Sequence, residues 1–258
     1  MTLIKIDDIT QKELAGICDH TFLKRPESYT AQAKEEGKSS IALFRQSFDE
    51  FLEETVKMEV KPYAICVRPE EVGNVATYLN ENGGKDIKIA SVVGFPGGTC
   101  ETELKVRETR YAIKHGAVEI DMVLNYDKFK AQDFKYVEND IKAVTEVAHE
   151  GNALVKIILE TSELDTEQIQ RACWYANLCD VDFVKTSTGF SVTGANAEDL
   201  KVMREIFKGG VKMSGGVKPE NFKALLYAVS GKDDGYIDID PKLVRIGESG
   251  LLKGEDSY

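Results

Sequence analysis

Histidine is scarce in this sequence, and so are the pairings that would give its few histidines and cysteines a structural task. The 258 residues include three histidines, His20, His115 and His149. They are too scattered to form the ligand cluster a zinc site needs, so no metal is expected. Five cysteines are present, Cys18, Cys66, Cys100, Cys173 and Cys179. The number is odd and no C-x-x-C pair occurs, which argues against a disulfide framework or a zinc ribbon and fits reduced thiols in a cytoplasmic protein. No run of about 18 apolar residues occurs anywhere. The opening stretch MTLIKIDDITQKELAG scatters charges where a secretory leader has an apolar segment, so a cytoplasmic location is expected. Positive charge is also in deficit: 33 Lys and Arg stand against 44 Asp and Glu, a net charge of −11. Nucleic acids and anionic membranes demand a basic footprint, so neither is expected as a partner. A small basic pocket for an anionic metabolite remains compatible with that balance.

What is present is ordinary for a soluble globular chain, with 42% hydrophobic and 30% charged residues. A chain this long buries a core without disulfide or metal staples. Eight short apolar, β-branched runs bounded by turn residues follow one another: 16–20, 63–67, 87–95, 118–124, 154–160, 182–188, 210–216 and 243–247. Helical patterns separate most of them. Residues 101–115 begin with acids, end with Lys114 and His115 and stop at Gly116, an order that suits the helix dipole and a glycine cap. Residues 133–149 and 165–178 also read as helices, the second with Asp165 as its N-cap.

Alternating strands and helices imply parallel pairing, and eight such units imply a closed (β/α)8 TIM barrel of the α/β class. A doubly wound open sheet is the competing reading. It would require a glycine-rich turn after the first strand, where DHTFLK stands. Residues 1–258 are expected to form a single domain, with a longer helical segment at about 25–62 and a short tail at about 251–258. Phe44, Phe48, Phe51 and Leu52 lie at helical spacing in that segment and predict an amphipathic helix over 46–58, packed on the barrel or on a second subunit. Residues 230–241, acidic and glycine-containing, read as a surface loop.

In such barrels the C-terminal strand ends carry the chemistry. Here those ends hold Asp19, His20, Cys66, Asp121, Glu160, Lys185, Lys212 and Gly247. Strand alternation puts Lys156, Ile158 and Glu160 on one face of their strand, and likewise Phe183 and Lys185 on one face of theirs. Lysines and carboxylates are rarely buried unless paired. One such charge is as well explained by a structural ion pair, but several lysines on different strands around a carboxylate incur a repulsion that functional sites exploit. Close ammonium groups and desolvation favour the neutral amine, which attacks an aldehyde to form an iminium, an electron sink for carbon–carbon cleavage. Asp121 is the candidate for the accompanying proton transfers. His20, beside the pocket, reads equally as a structural histidine. KTSTGF, SGGVKPEN and RIGESG follow the sixth, seventh and eighth strands. Glycines there let backbone N–H groups approach an anion, with Lys218 adjacent, at the loops where barrels often hold phosphate.

These segments resemble the metal-independent 2-deoxyribose-5-phosphate aldolases. DHTFLK, ICVRPEEV, SVVGFPGGT, EIDMVLN, LVKIILETSEL, DFVKTSTGF, VKMSGGVK and RIGESG occur in the family's order across nearly the whole chain. The resemblance implies a Schiff-base lyase cleaving 2-deoxy-D-ribose 5-phosphate to acetaldehyde and D-glyceraldehyde 3-phosphate, without a cofactor. It places the Schiff-base lysine at Lys185, its perturbing lysine at Lys212 and the proton-transfer aspartate at Asp121. Substrate-binding positions are then Thr21, Cys66, Lys156, Gly189, Gly215, Gly216, Gly247 and Ser249. Tyr258, at the end of GEDSY, is the candidate for a proton-relay tyrosine found in the tail of some relatives; a solvated tail is the default reading. The expected partners are a phosphorylated sugar, a small aldehyde and, for the chain itself, a second copy in a homodimer.

Three departures mark this sequence. Gly250 replaces the second serine of the family's eighth loop, Glu248 adds a carboxylate beside the phosphate position, and the segment between the first two strands is longer. A related aldolase acting on another phosphorylated sugar and a non-catalytic phosphosugar-binding relative are the alternatives.

Overall fold

The computed structural model describes residues 3–232 and 234–254. Its strands are β1 (Leu3–Lys5), β2 (Cys18–Thr21), β3 (Ala64–Val67), β4 (Lys88–Val93), β5 (Glu119–Val123), β6 (Leu154–Ile158), β7 (Phe183–Lys185), β8 (Gly210–Ser214), β9 (Tyr236–Asp238) and β10 (Val244–Glu248). Its helices are α1 (Gln11–Ala15), α2 (Thr30–Glu36), α3 (Ser40–Lys57), α4 (Val72–Glu81), α5 (Thr102–Lys114), α6 (Tyr126–Lys130), α7 (Phe134–Glu150), α8 (Thr166–Leu178), α9 (Ala197–Ile206) and α10 (Phe222–Ser230). Eight strands close into a parallel barrel in the order β10-β2-β3-β4-β5-β6-β7-β8. Each of the eight runs expected from the sequence overlaps one of them, with the first and last strands reaching one residue further; the sixth run keeps only Phe183–Lys185 as strand.

Local chemistry sets the helix ends. The Asp165 carboxylate accepts the Gln168 N–H at 2.8 Å, and the Gln168 side chain accepts the Asp165 N–H at 3.0 Å, a reciprocal cap at the start of α8. Gly37 ends α2 in the left-handed region at φ 64°, where a side chain would be strained.

Two different interiors result from strand alternation. Side chains such as Ile65, Ile120, Val184, Val211 and Ile246 point outward and join the helices in the main apolar core. Inside the barrel, one sector is small and apolar, formed by Cys66, Ala90 and Val92 with Leu23 above. Among the other inward positions, Asp19, Glu119, Asp121, Lys156, Lys185, Lys212 and Arg245 are charged and buried.

The amphipathic segment forms α3, which starts six residues before the expected span of 46–58. Phe44, Phe48, Phe51 and Leu52 are all buried. Phe48 lies 5.3 Å from the Phe22 ring and 6.0 Å from Phe44, so the helix packs directly on the loop that follows β2. Phe48→Ala is therefore expected to cost about 3–5 kcal/mol. Denaturant titration checks this, and a loss below about 1 kcal/mol would mean that α3 is not part of the cooperative core.

The acidic stretch 230–241, expected as a loop, contains β9. It pairs antiparallel with β1, placing Ile4 opposite Ile237. Its three residues are too few to carry a visible periodicity, and their partner lies at the other end of the chain. After β10, Leu251 and Leu252 are buried in a short 3₁₀ turn. Tyr258 lies outside the described residues. Among the described residues, no helix is long and apolar enough to cross a membrane.

Candidate active site

Parallel register brings the inward charges together. Lys185 of β7 is paired with Lys212 of β8, Lys212 with Arg245 of β10, and Asp121 of β5 with Lys156 of β6. Asp121 is the hub. Its Oδ2 accepts from Lys185 Nζ at 3.0 Å and from Lys212 Nζ at 2.8 Å, while its Oδ1 accepts from Lys156 Nζ at 2.7 Å. Lys212 also donates to Asp19 Oδ2 at 2.5 Å, and Lys156 reaches Glu119 at 2.6 Å. Gly247 makes the crowding possible, since a Cβ there would sit 2.9 Å from Ser214 Cβ and 3.3 Å from Lys212 Cε.

These contacts separate the lysines electrostatically. Burial and the neighbouring Lys212 ammonium push the Lys185 pKa down, and its single carboxylate contact only partly opposes them. Lys212 is equally buried, yet Asp121 and Asp19 outweigh desolvation and hold it firmly protonated. Asp121 stays ionised well below the ordinary carboxylate range: burial would raise it, but Lys156, Lys212 and Lys185 together prevail. The Cys66 thiol, desolvated and beside Asp121, is pushed up to about 11 and is neutral near pH 7. The cluster thus presents one lysine inclined to neutrality and another fixed as a cation, at the C-terminal end of the barrel.

Above it lies a small cleft that opens to solvent. Lys185 forms part of its floor. Thr21, Gly189, Gly215, Gly247 and Ser249 line it, with Thr188, Phe190 and Ser214. Asp121, Lys212, Lys156 and Cys66 do not line the cleft; they stand below or beside Lys185, sealed from solvent. Gly216 is also outside the lining, next to Gly215, with open space where a Cβ would be.

The loops around the cleft are tied to one another. Thr186 Oγ1 donates to Ser214 O at 3.0 Å, Ser214 Oγ to Ser187 O at 2.5 Å, and the Ala195 N–H to Gly215 O at 3.0 Å. Gly194 approaches Gly215 so closely that a Cβ on it would fall 2.0 Å from the Gly215 carbonyl oxygen. Glu160, in the left-handed region at φ 54°, accepts the Thr188 N–H at 3.3 Å and its hydroxyl at 2.5 Å.

Glu248 borders the cleft, but its carboxylate is engaged elsewhere. One oxygen lies 2.6 Å from His20 Nδ1 and the other accepts the Leu252 N–H at 3.3 Å. His20 stacks on Phe51 with ring centroids 4.6 Å apart, linking β2 to α3. The histidine is therefore part of the scaffold. Sequence reasoning did not single out Glu119, Arg245 or Thr188. For the first two a signal was present: each stands two residues before an inward position, Asp121 and Gly247, so alternation aims it into the barrel. Among the described residues, no group of three or more His, Cys, Asp or Glu is placed to hold a metal ion.

A parallel barrel with a sealed lysine–carboxylate cluster beneath a small C-terminal cleft has the construction of a barrel aldolase. Residues 17–254 match the family described as DeoC/LacD family aldolase, and the chain belongs to that family. The chain is 42% identical over 208 residues to a deoxyribose-phosphate aldolase of Aciduliprofundum boonei, covering 80% of this chain and 84% of the relative. It is 47% identical over 158 residues to one from Thermococcus kodakarensis, covering 60% and 70%. A deoxyribose phosphate aldolase from Aeropyrum pernix, described as having a unique tetrameric structure, shares the fold, with a TM-score of 0.69, 21% identity and coverage of 97% of this chain and 93% of that one. The protein is thus a lyase of the aldolase type.

Proposed function

We propose that the chain cleaves 2-deoxy-D-ribose 5-phosphate to acetaldehyde and D-glyceraldehyde 3-phosphate through an imine on Lys185. The observation that carries this reading is the placement of Lys185: at the floor of the cleft, depressed by burial and Lys212, and hydrogen-bonded to Asp121 at 3.0 Å. The neutral amine adds to C1 of the open-chain sugar, and the carbinolamine loses water to give the iminium. The C3 hydroxyl then gives up its proton as the C2–C3 bond breaks, its electrons pass to the iminium, and the triose phosphate departs. Protonation and hydrolysis of the remaining enamine release acetaldehyde and regenerate the amine. The Asp121 carboxylate, fixed by three lysines, is the group placed to assist these proton movements near Lys185 Nζ.

Support for phosphate at the far side of the cleft comes from its glycines. Gly189, Gly215 and Gly216 all have positive φ, which lets backbone N–H groups converge on an anion. Gly247 and Ser249 border the same region. The names carried by the relatives agree with a phosphorylated deoxysugar as substrate. The assay is acetaldehyde release from deoxyribose 5-phosphate compared with unphosphorylated deoxyribose. The sugar lacking phosphate is expected to show kcat/KM lower by on the order of a hundredfold, about 2.7 kcal/mol of transition-state binding. Equal values would refute the phosphate cradle, and no release from either would refute the substrate.

A further inference from the structure

Below the cleft, the barrel interior contains more charge than imine formation and cleavage use. Arg245 is fully buried at the floor of the cluster, away from the cleft. Its Nε lies 2.9 Å from Asp19 Oδ1, and its Nη2 also contacts that oxygen. Its two terminal nitrogens hold Glu119 at 3.1 and 2.8 Å, and its guanidinium carbon sits 3.9 Å from the centre of the Tyr63 ring. The other oxygen of Asp19 is bound by Lys212, Lys212 is bound to Asp121, and Asp121 to Lys185. An unbroken alternation of charge therefore runs from Arg245 to Lys185.

We propose that Arg245 is a positioning residue that acts through Asp19 and Lys212 to keep Lys185 in its nucleophilic, neutral state. The inference rests on the reading of Lys185 as the imine-forming residue. Four cations, Lys156, Lys185, Lys212 and Arg245, face three carboxylates, Asp19, Glu119 and Asp121, all at most 2% exposed. A sealed cluster with one cation in excess is relieved when one ammonium gives up its proton. A guanidinium does not do so. Lys156 has Asp19, Glu119 and Asp121 within 4 Å, Lys212 has Asp19 and Asp121, and Lys185 has only Asp121 among the described residues. Lys185 is thus the group whose charge is least compensated. Without Arg245, three ammonium groups would match three carboxylates, and Lys185 would keep its proton.

The other titratable groups around Lys185 are neutral or have their partners outside the cluster. Cys66 on β3 is neutral near pH 7 because burial and Asp121 hold its thiol pKa high. Glu160, after β6, is bound to Thr188, and Glu248, ending β10, to His20 and the Leu252 N–H. The inward residues of β4, Ala90 and Val92, carry no charge. Tyr63 presents its ring to Arg245.

The test is the pH dependence of borohydride-trapped acetaldehyde adduct at Lys185, measured on the full chain and on Arg245→Met, Glu119→Gln and the double variant. A neutral amine appears as pH rises through the Lys185 pKa, so the rising limb reports that pKa. Arg245→Met is expected to move the limb up by about one pH unit, as befits one charge on the order of 10 Å away at an effective dielectric constant of about 20. Glu119→Gln removes a negative charge and is expected to move the limb down. The double variant is expected to return near the wild-type position. Structural damage alone has no reason to give opposite signs or mutual rescue. A folded Arg245→Met with an unmoved limb, or limbs displaced in the same direction in both single variants, would overturn the inference. If Arg245→Met does not fold, Glu119→Gln decides alone, and an unmoved or upward-moved limb overturns it. No adduct at Lys185 on the wild-type chain would instead overturn the underlying assignment of Lys185.

Discussion

Lys185→Ala is expected to abolish both turnover and the borohydride-trapped adduct. Wild-type protein treated with acetaldehyde and borohydride should gain one two-carbon unit, mapped by peptide mass spectrometry to the peptide containing DFVKTSTGF. Removing a covalent nucleophile generally costs on the order of 10⁴- to 10⁶-fold in rate. Nothing else at the cleft floor can take its place, because Lys212 and Lys156 are sealed beneath it and both are held protonated: burial opposes their charge, but the carboxylates around them prevail. Alanine also removes a cation from a cluster that carries one in excess, so the variant should fold. Label at Lys212 or Lys156 in the wild-type protein would reverse the roles assigned to the lysines. Full activity without any label would exclude imine chemistry.

Lys212→Leu should separate the two lysines by their function. Leucine leaves Lys185 in place but removes the ammonium that, after burial, contributes most to lowering its pKa. With Asp121 and Asp19 less compensated, the Lys185 pKa should rise. The neutral amine exists only above that pKa, so the rising limb of the pH–rate profile should move to higher pH. At a fixed pH below the limb, displacing it upward by about one pH unit lowers the rate about tenfold. The rate near pH 7 should therefore fall by at least about tenfold and recover in part as pH increases. Removing one partner from a buried ion cluster also destabilises the fold, by roughly 3–5 kcal/mol in comparable cases. Thermal unfolding measures that loss separately from the pH profile. A rate reduced equally at every pH would mean that Lys212 acts only in packing or substrate binding.

The two variants probe a site that was legible in the sequence to different depths. Lys185, Lys212 and Asp121 stood out because charged residues occur in runs otherwise rich in Val and Ile, where burial has to be compensated. Lys156 was visible for the same reason, but its depth was not. Alternation gives the face of the barrel on which a side chain lies, whereas its height along the barrel axis depends on strand stagger. That stagger sets Lys156 level with Phe183, two residues before Lys185 on the neighbouring strand, and leaves the cleft to Lys185. Glu248 illustrates the same limit. A carboxylate next to a phosphate loop reads as repulsive until its partner is known, and that partner, His20, comes from the opposite end of the chain.

By itself, the sequence determined the barrel and its eight strands, since periodicity and turn residues act locally and recur at each unit. It also singled out Lys185 as the candidate reactive lysine, because the motifs around Lys185 and Lys212 are contiguous. Tertiary structure alone decided the pairing of β1 with β9, the anchoring of Glu248 on His20, and the chain of charge from Arg245 to Lys185. Each of these joins residues far apart in the chain, and ion pairs and short strands leave no periodic trace along it. Whether a buried charge is compensated depends on which groups lie within about 4–6 Å, a distance that exists only once the barrel has closed.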